Sequence, residues 1–559
     1  MPAPHPPECE LERLADDAWL LRFGDRIDPG CNARVHALAL RIRAAGPAWL
    51  RALVPAFASL GVFFVDDTDA EVVRSALQEW LDAEAPHART DPPIDAARTV
   101  EIPVAYGGEH GPDLDSAAAE LGMAADELIR RHSSGDYTVA MIGFAPGFPY
   151  LYGLDPALAL PRLATPRTQV AAGSVAIGGA QTGIYPRESP GGWRLLGRTP
   201  RVLFDSAREP PSLLQPGDHV RFVPVNAEQL QRPHTPAAIA GPASVDGPAV
   251  HVIRPGLLTT VQDPGRPAWR HVGVAEAGAL DRCAARLANR LVGNAEDAAV
   301  LELTLRGPTL RFETPVRVAL LGARVAARFD GYDVPMGRPV ALPVGTLELG
   351  SLRGGARAWL AISGGIEVPQ VLGSRSTDLR GGFGGLEGRA LVAGDRLPLG
   401  RVAPIDVSQP HAPAWWIDPA HEDGIAIRYV PGAHAAATLL GTRGWRVSAR
   451  SNRQGLRLEG DELAARAADG VSEPVAPGTI QLPADGSPIV LLADAQTVGG
   501  YPRLGRVIAA DLPRLAQCIP GQTLHFAPCD EATAHRLACA ARARLARIRL
   551  MIDARLPAV

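Results

Sequence analysis

Seven consecutive residues, Ser374-Arg375-Ser376-Thr377-Asp378-Leu379-Arg380, place two guanidinium groups and four short polar side chains beside Gly381-Gly382-Phe383-Gly384-Gly385. Glycines next to arginine permit close backbone approach, and the planar fork of Arg suits bidentate recognition of a phosphate or carboxylate. Gln262-Asp263-Pro264-Gly265-Arg266 reads either as an Asp–Arg turn network or as an anion site, and Ser451-Asn452-Arg453-Gln454-Gly455 is similar in kind. Gly143-Phe144-Ala145-Pro146-Gly147-Phe148-Pro149-Tyr150-Leu151 is a Gly/Pro loop with three aromatics, and it reads equally as a rigid turn plugging a barrel end. Asp281, Asn289 and Glu302 border a helix-like stretch from Leu280 to Leu291 and read as caps or solvated surface groups.

Several chemistries are excluded. The chain contains no lysine; all 56 basic residues are arginine. It therefore cannot supply a P-loop lysine, a Schiff-base lysine, a biotinyl-lysine or a Ser–Lys pair, and Arg, which stays protonated, is a poor substitute nucleophile. Arg187-Glu188-Ser189-Pro190-Gly191 lacks the first glycine of a nucleophile elbow, and Gly382-Phe383-Gly384-Gly385-Leu386-Glu387 has Glu where a dinucleotide fingerprint needs its third glycine. The 14 histidines form no metal-spaced cluster, and the six cysteines form no CxxC pair. Sparse, unpatterned cysteines are expected to be reduced thiols in the cytoplasm. A net charge of -4 gives no electrostatic footprint for nucleic acid or an anionic membrane. The N-terminus lacks the pattern of a signal peptide, and no run of 18 apolar residues occurs to span a membrane.

The elements that must position these loops are mostly strands. In 559 residues, 58 Gly and 52 Pro are spread along the chain, which suggests many short strands punctuated by turns. The length predicts about three to five domains. Pro-rich stretches near 84–97, 224–249 and 403–420 read as boundaries. The first segment reads as a small α+β unit: strands near Ala18–Phe23, Trp49–Phe57 and Leu60–Val65, with helices over Asn32–Arg43 and from Ala70 to Ala83, the latter capped by Asp69. Beyond it the pattern apolar-x-x-Gly-Ser/Thr-apolar-x-Ile/Leu occurs three times, beginning at Val170, Leu342 and Val475. Each copy is a turn glycine followed by an alternating strand. Two copies share more: Ala180-Gln181-Thr182 through Tyr185-Pro186-Arg187 is echoed by Ala495-Gln496-Thr497 through Tyr501-Pro502-Arg503, and each is followed by Leu-Gly-Arg. Three related β-rich domains are expected.

These loops resemble a known pair of families. Residues 100–223, through EIPVAYGGEHGPDL (101–114), GFAPGFPYL (143–151) and GGAQTGIYPRESPGGWRLLGRTP (178–200), resemble the B subunit of bacterial 5-oxoprolinase, formerly allophanate hydrolase subunit 1. Residues 252–530, through GLLTTVQDPGRPAWRHVGVAEAGALDRCAARLANRLVGN (256–294), LGSRSTDLRGGFGGLEGRAL (372–391) and SNRQGLRLEG (451–460), resemble the C subunit, formerly allophanate hydrolase subunit 2. Both are also similar to the carboxyltransferase domain of urea carboxylase. The resemblance implies a mainly β fold with a small α+β N-terminal domain (1–85) and three cyclophilin-like β-barrels (86–228, 245–408 and 409–545). It implies a B–C component of ATP-dependent 5-oxoprolinase, acting on 5-oxo-L-proline with a separate A component of lactam-utilisation type. ATP and Mg²⁺ would be held here or on the partner, no biotin would be covalently bound, and an oligomer is expected. Two other readings stay open: a carboxyltransferase partner using biotin on another chain, and a regulatory protein that binds a histidine kinase. Site candidates are Gln181, Tyr185 and Arg187 in the B-like part. In the C-like part they are Asp263, Arg266, Arg375, Asp378, Asn452, Arg453, Gln496 and Arg503. By side-chain chemistry the arginines would bind phosphate or carboxylate, Asp263 or Asp378 would be a Mg²⁺ ligand or base, and Asn and Gln would orient the amide.

Overall fold

A computed structural model describes residues 9–84, 98–230, 247–401, 405–418, 426–463 and 470–556. The expected boundaries at 85/86 and 228–245 fall largely outside these described residues.

The N-terminal unit is a four-stranded antiparallel sheet in the order Glu10–Ala15, Ala18–Arg22, Ser59–Phe64, Leu50–Pro55, with helices Pro29–Ala45 and Ala70–Glu84. The first helix starts earlier than the apolar spacing suggests, because Asp28 accepts from the Cys31 amide at 2.9 Å and Pro29 suits the first turn. Strand alternation buries both faces of this sheet. Trp19, Leu21 and Phe23 meet the helix residues Val35, Leu38 and Leu77. Leu20, Val54 and Phe63 face the other way, into a core shared with Phe148, Tyr185 and Val498.

The expected mainly β class holds. Two of the three β regions close into seven-stranded barrels. The first runs Thr99–Tyr106, Arg194–Arg198, Ser174–Gly178, Gln181–Ile184, Pro149–Tyr152, Tyr137–Ile142 and His219–Pro224, then back to its start. The second runs Ile427–Pro431, Arg503–Val507, Thr479–Gln481, Ile489–Leu491, Gly455–Glu459, Gly444–Val447 and Thr523–Pro528. Position by position these are one topology. In each, the Gly-Ser/Thr strand pairs with the Leu-Gly-Arg strand, and the first strand lies parallel to the last. The turn glycines Gly173 and Gly478 adopt φ of 81° and 88°, a conformation costly for residues with a Cβ.

The region between is a half-barrel. Its nine-stranded sheet does not close, and its longest strands, Val316–Phe329 and Gly345–Ile362, pair with each other. Gly345 carries the repeated motif but begins a long strand, and it is absent from the positive-φ glycines. The segment before the second barrel still belongs here, since His411 bridges Ala341 and the Ile417 amide donates to the Gly337 carbonyl at 2.8 Å. The C-terminal helix Glu531–Asp553 runs past the expected end at 545 and packs Ile548 and Ile552 against helix Arg282–Val292.

The regions are joined by buried polar contacts. Arg270 (2% exposed) lies over Phe63 of the N-terminal sheet at 4.4 Å, donates to the Val475 carbonyl of the second barrel at 2.5 Å and faces Glu276 at 3.6 Å. Gly143, in the first barrel, has no room for a side chain because Val498 of the second barrel occupies that space.

Candidate functional site

One cleft opens where both barrels and the half-barrel meet. The first barrel contributes Phe144, Pro146 and Arg187. The half-barrel side contributes Asp378, Arg380 and Gly381, and the second barrel contributes Asp494 and Gln496. The loops carrying Arg187 and Asp494/Gln496 occupy equivalent places in the two barrels, each following the fourth strand in the order given above. The sequence echo pairs Gln181 with Gln496, but topology pairs the Arg187 loop with the Asp494 loop.

Asp378 shapes its own loop, accepting the amides of Arg380 at 3.0 Å and Gly381 at 2.7 Å. That turn aims Arg380 over the Phe144 ring at 5.2 Å. With its amide assigned so that the oxygen faces Arg380, Gln454 accepts from Arg380 Nε at 3.1 Å and Nη1 at 3.0 Å. Arg187 has a buried Nε with no hydrogen-bond partner. Burial, and after it the Arg380 charge, pushes the Arg187 guanidinium down to about 10, with Asp378 opposing; burial also lowers Arg380. Among the described residues, neither arginine is in an ion pair. Two charged groups in one cleft thus lack carboxylate partners.

Behind the cleft is a buried ionic chain. Arg453 donates Nε and Nη2 to the two oxygens of Asp494, both at 2.9 Å, pairs with Glu302, and donates to the Gly278 carbonyl at 2.6 Å. Glu302 also accepts from Trp359 Nε1 at 3.0 Å and the Leu280 amide at 2.9 Å, with Arg357 at 3.6 Å. Burial pushes the Asp494 carboxyl up to about 6 despite Arg453, with Asp378 and Glu302 adding to the rise. The reading of Glu302 as a solvated surface group is corrected: it is 1% exposed, on a strand buried by both flanking layers. Asn289 is also buried, donating to the Ala298 carbonyl at 2.7 Å, whereas Asp281 does cap its helix, at 2.9 Å from the Ala284 amide.

Of the eleven candidates, Arg187, Asp378 and Gln496 line the cleft, and Arg453 braces it from behind. The others are placed elsewhere. Asp263 is saturated by the Gly265 and Arg375 amides and the Ser374 and Ser376 hydroxyls, at 2.5–2.8 Å. Arg266 is buried under the same loop, donating to the Val371 and Ser376 carbonyls and lying over Phe383 at 5.1 Å. Arg375 turns to Glu367 and to the Val368 carbonyl at 3.1 Å. Asn452 is exposed, closing a turn with the Gln454 amide at 2.8 Å. Tyr185 is buried edge-on to Phe148, Gln181 opens a barrel strand with its Oε1 buried and unpartnered, and Arg503 joins Glu473 (3.1 Å) to Glu12 (2.8 Å). Sequence reasoning misses Arg380 and Asp494. Arg380 is signalled by its place in the 374–380 loop; Asp494, between two alanines, gives no signal.

The lining of this cleft shows no site built for Mg²⁺. Among the described residues no three His, Cys, Asp or Glu side chains are placed to hold a metal ion, and the Asp263 carboxylate is fully engaged. All six cysteines are free thiols, and among the described residues no helix is long and apolar enough to cross a membrane.

Residues 9–214 match the family described as carboxyltransferase domain, subdomain C and D, and residues 272–528 match carboxyltransferase domain, subdomain A and B. The chain is 43% identical over 289 residues to the C subunit of 5-oxoprolinase from Escherichia coli (strain K12), covering 50% of this chain and 91% of that protein. It is 40% identical over 227 residues to the B subunit of 5-oxoprolinase from Bacillus subtilis (strain 168), covering 39% of this chain and 93% of that one. The crystal structure of TTHA0988 superposes with a TM-score of 0.81 at 37% identity, covering 91% of this chain and 99% of the other. With a B-like half followed by a C-like half, each meeting the other at the cleft, this chain belongs to the carboxyltransferase-domain family as a fused C/D and A/B protein.

Proposed function

We propose that the chain is the B–C component of a cytoplasmic, ATP-dependent 5-oxoprolinase that acts with a separate A component. The overall change is 5-oxo-L-proline, ATP and two waters giving L-glutamate, ADP and phosphate. The lactam C–N bond breaks, the ring nitrogen takes up two protons to become the ammonium, and water oxygen ends on the new carboxylate. The observation that carries this reading is the pair of arginines without ion partners, set against a buried acid and an amide in a cleft that both halves build. A lactam acid needs such a set: cations for its carboxylate, an amide to align its ring, and an acid to hold a proton. Arg187, Arg380, Gln496 and Asp494 would fill these roles, with Arg453 fixing the direction of Asp494. The nucleotide is assigned to another part of the assembled complex.

The test is reconstitution. The purified chain is mixed with its A component and assayed for glutamate from 5-oxoproline with and without ATP. Turnover only with both supports the reading. Robust turnover by this chain alone would overturn the need for a partner. Inactivity with a verified partner, together with carboxylation of an amide from carboxybiotin, would move the assignment to carboxyl transfer.

A further inference from the structure

Resting on that reading, we propose that Arg187 and Arg380 form a clamp for the single carboxylate of a small cyclic amide acid, with its ring held against Phe144 and Pro146. Three observations converge on it. The first is charge. Arg453 and Arg357 serve Asp494 and Glu302, and Arg266 feels the charge of Asp378 and, after it, of Asp263. What remains is Arg187 and Arg380, which share only the charge of Asp378, so the cleft carries an excess of positive charge that suits an anion. The second is the lining. Phe144 and Pro146 give the cleft an apolar wall beside its two arginines, a surface of the size and kind that a small ring would lie against.

The third is preorganisation. The Arg187 Nε is buried and unpartnered, a condition that a ligand oxygen would relieve. Phe144 is held at φ 65°, in the left-handed region that non-glycine residues seldom occupy, and this strained position keeps its ring beneath Arg380. A neutral amide of the same shape would leave the clamp unused. The clamp is therefore a specificity device as well as an anchor.

Calorimetric titration of the full chain, alone and with its A component, tests the clamp with three probes: 5-oxo-L-proline, 2-pyrrolidinone (the same ring without the carboxylate) and inorganic phosphate. The expected result is binding of 5-oxoproline, none of pyrrolidinone, and about 10- to 100-fold weaker binding of 5-oxoproline in Arg380→Gln and in Arg187→Gln. Equal binding of pyrrolidinone overturns the clamp on the unaltered protein, whatever the variants do. So does phosphate binding without 5-oxoproline, or unchanged affinity in both folded variants. The two failures separate: if 5-oxoproline binds as expected but the reconstituted complex never opens it, the enzymatic reading fails and the clamp stands. If the complex turns over and neither variant changes KM, the clamp falls alone.

Discussion

Two buried ionic clusters use the same residue types to opposite ends. At the junction of the regions, Glu276 (2% exposed) is surrounded by Arg282, Arg51 and Arg270, and together these outweigh its burial and hold its carboxyl down at about 2. At the cleft, Asp494 has one arginine, which it shares with Glu302, and burial wins. The first cluster surrounds its acid with positive charge and holds regions together. The second leaves an acid able to keep a proton and two arginines without carboxylates. The division between structure and site lies in how far the charges are satisfied, not in which residues are present.

The largest expected effect is at the junction. Glu276→Ala removes the carboxylate partner of Arg270 (2% exposed) and Arg282, while Arg51 keeps Asp17 at 2.6 Å, and should cost on the order of 3–5 kcal/mol in chemical denaturation. The fraction that stays folded should keep most of its turnover. At the cleft the pattern inverts: Arg380→Gln should lower turnover of the assembled complex by about 30- to 1,000-fold while barely moving the melting temperature. A variant that melted early yet stayed fully active would make Arg380 a brace and erase the contrast.

Protonation sharpens the comparison next. The Asp494 carboxyl rises from 3.8 to about 6 on folding, so its contribution to stability is full below about pH 3.8 and is lost as the pH rises through about 6. Glu276 falls from 4.5 to about 2, so its contribution is present above about pH 4.5 and is lost as the pH falls through about 2. Urea midpoints should therefore show the unaltered chain losing ground to Asp494→Asn between about pH 4 and 6. A pH-independent difference would contradict the raised carboxyl. The smallest effect is expected from Arg375→Ala: its partner Glu367 is exposed, and such pairs are worth about 0–1 kcal/mol, with turnover preserved.

What could be read from the chain depended on distance along it. The Gly-Ser/Thr strands and the Leu-Gly-Arg echoes are local patterns, and they located two barrels of one topology before any strand order was visible. The failure of the middle copy to close was hidden, because closure depends on which strands find each other. Arg187, Asp378 and Gln496 were legible from their loops. Arg503 was misleading for a physical reason: its partner Glu12 stands 491 positions away, and nothing local distinguishes a cation awaiting a ligand from one already paired. Asp494 was invisible for the converse reason, since its importance comes wholly from Arg453 and Glu302, distant in sequence.

Arg270 has a consequence for how the molecule comes apart. Its guanidinium touches the N-terminal sheet, the second barrel and the acid at the junction, all out of water. Neither the N-terminal sheet nor the second barrel can separate without unpairing this group, so the opening of one is coupled to the opening of the other. Heating should yield one endotherm whose calorimetric and van't Hoff enthalpies agree, although a chain of this length would ordinarily unfold in stages. A cleft assembled from three folded regions would then be either whole or absent, with no half-built population in between.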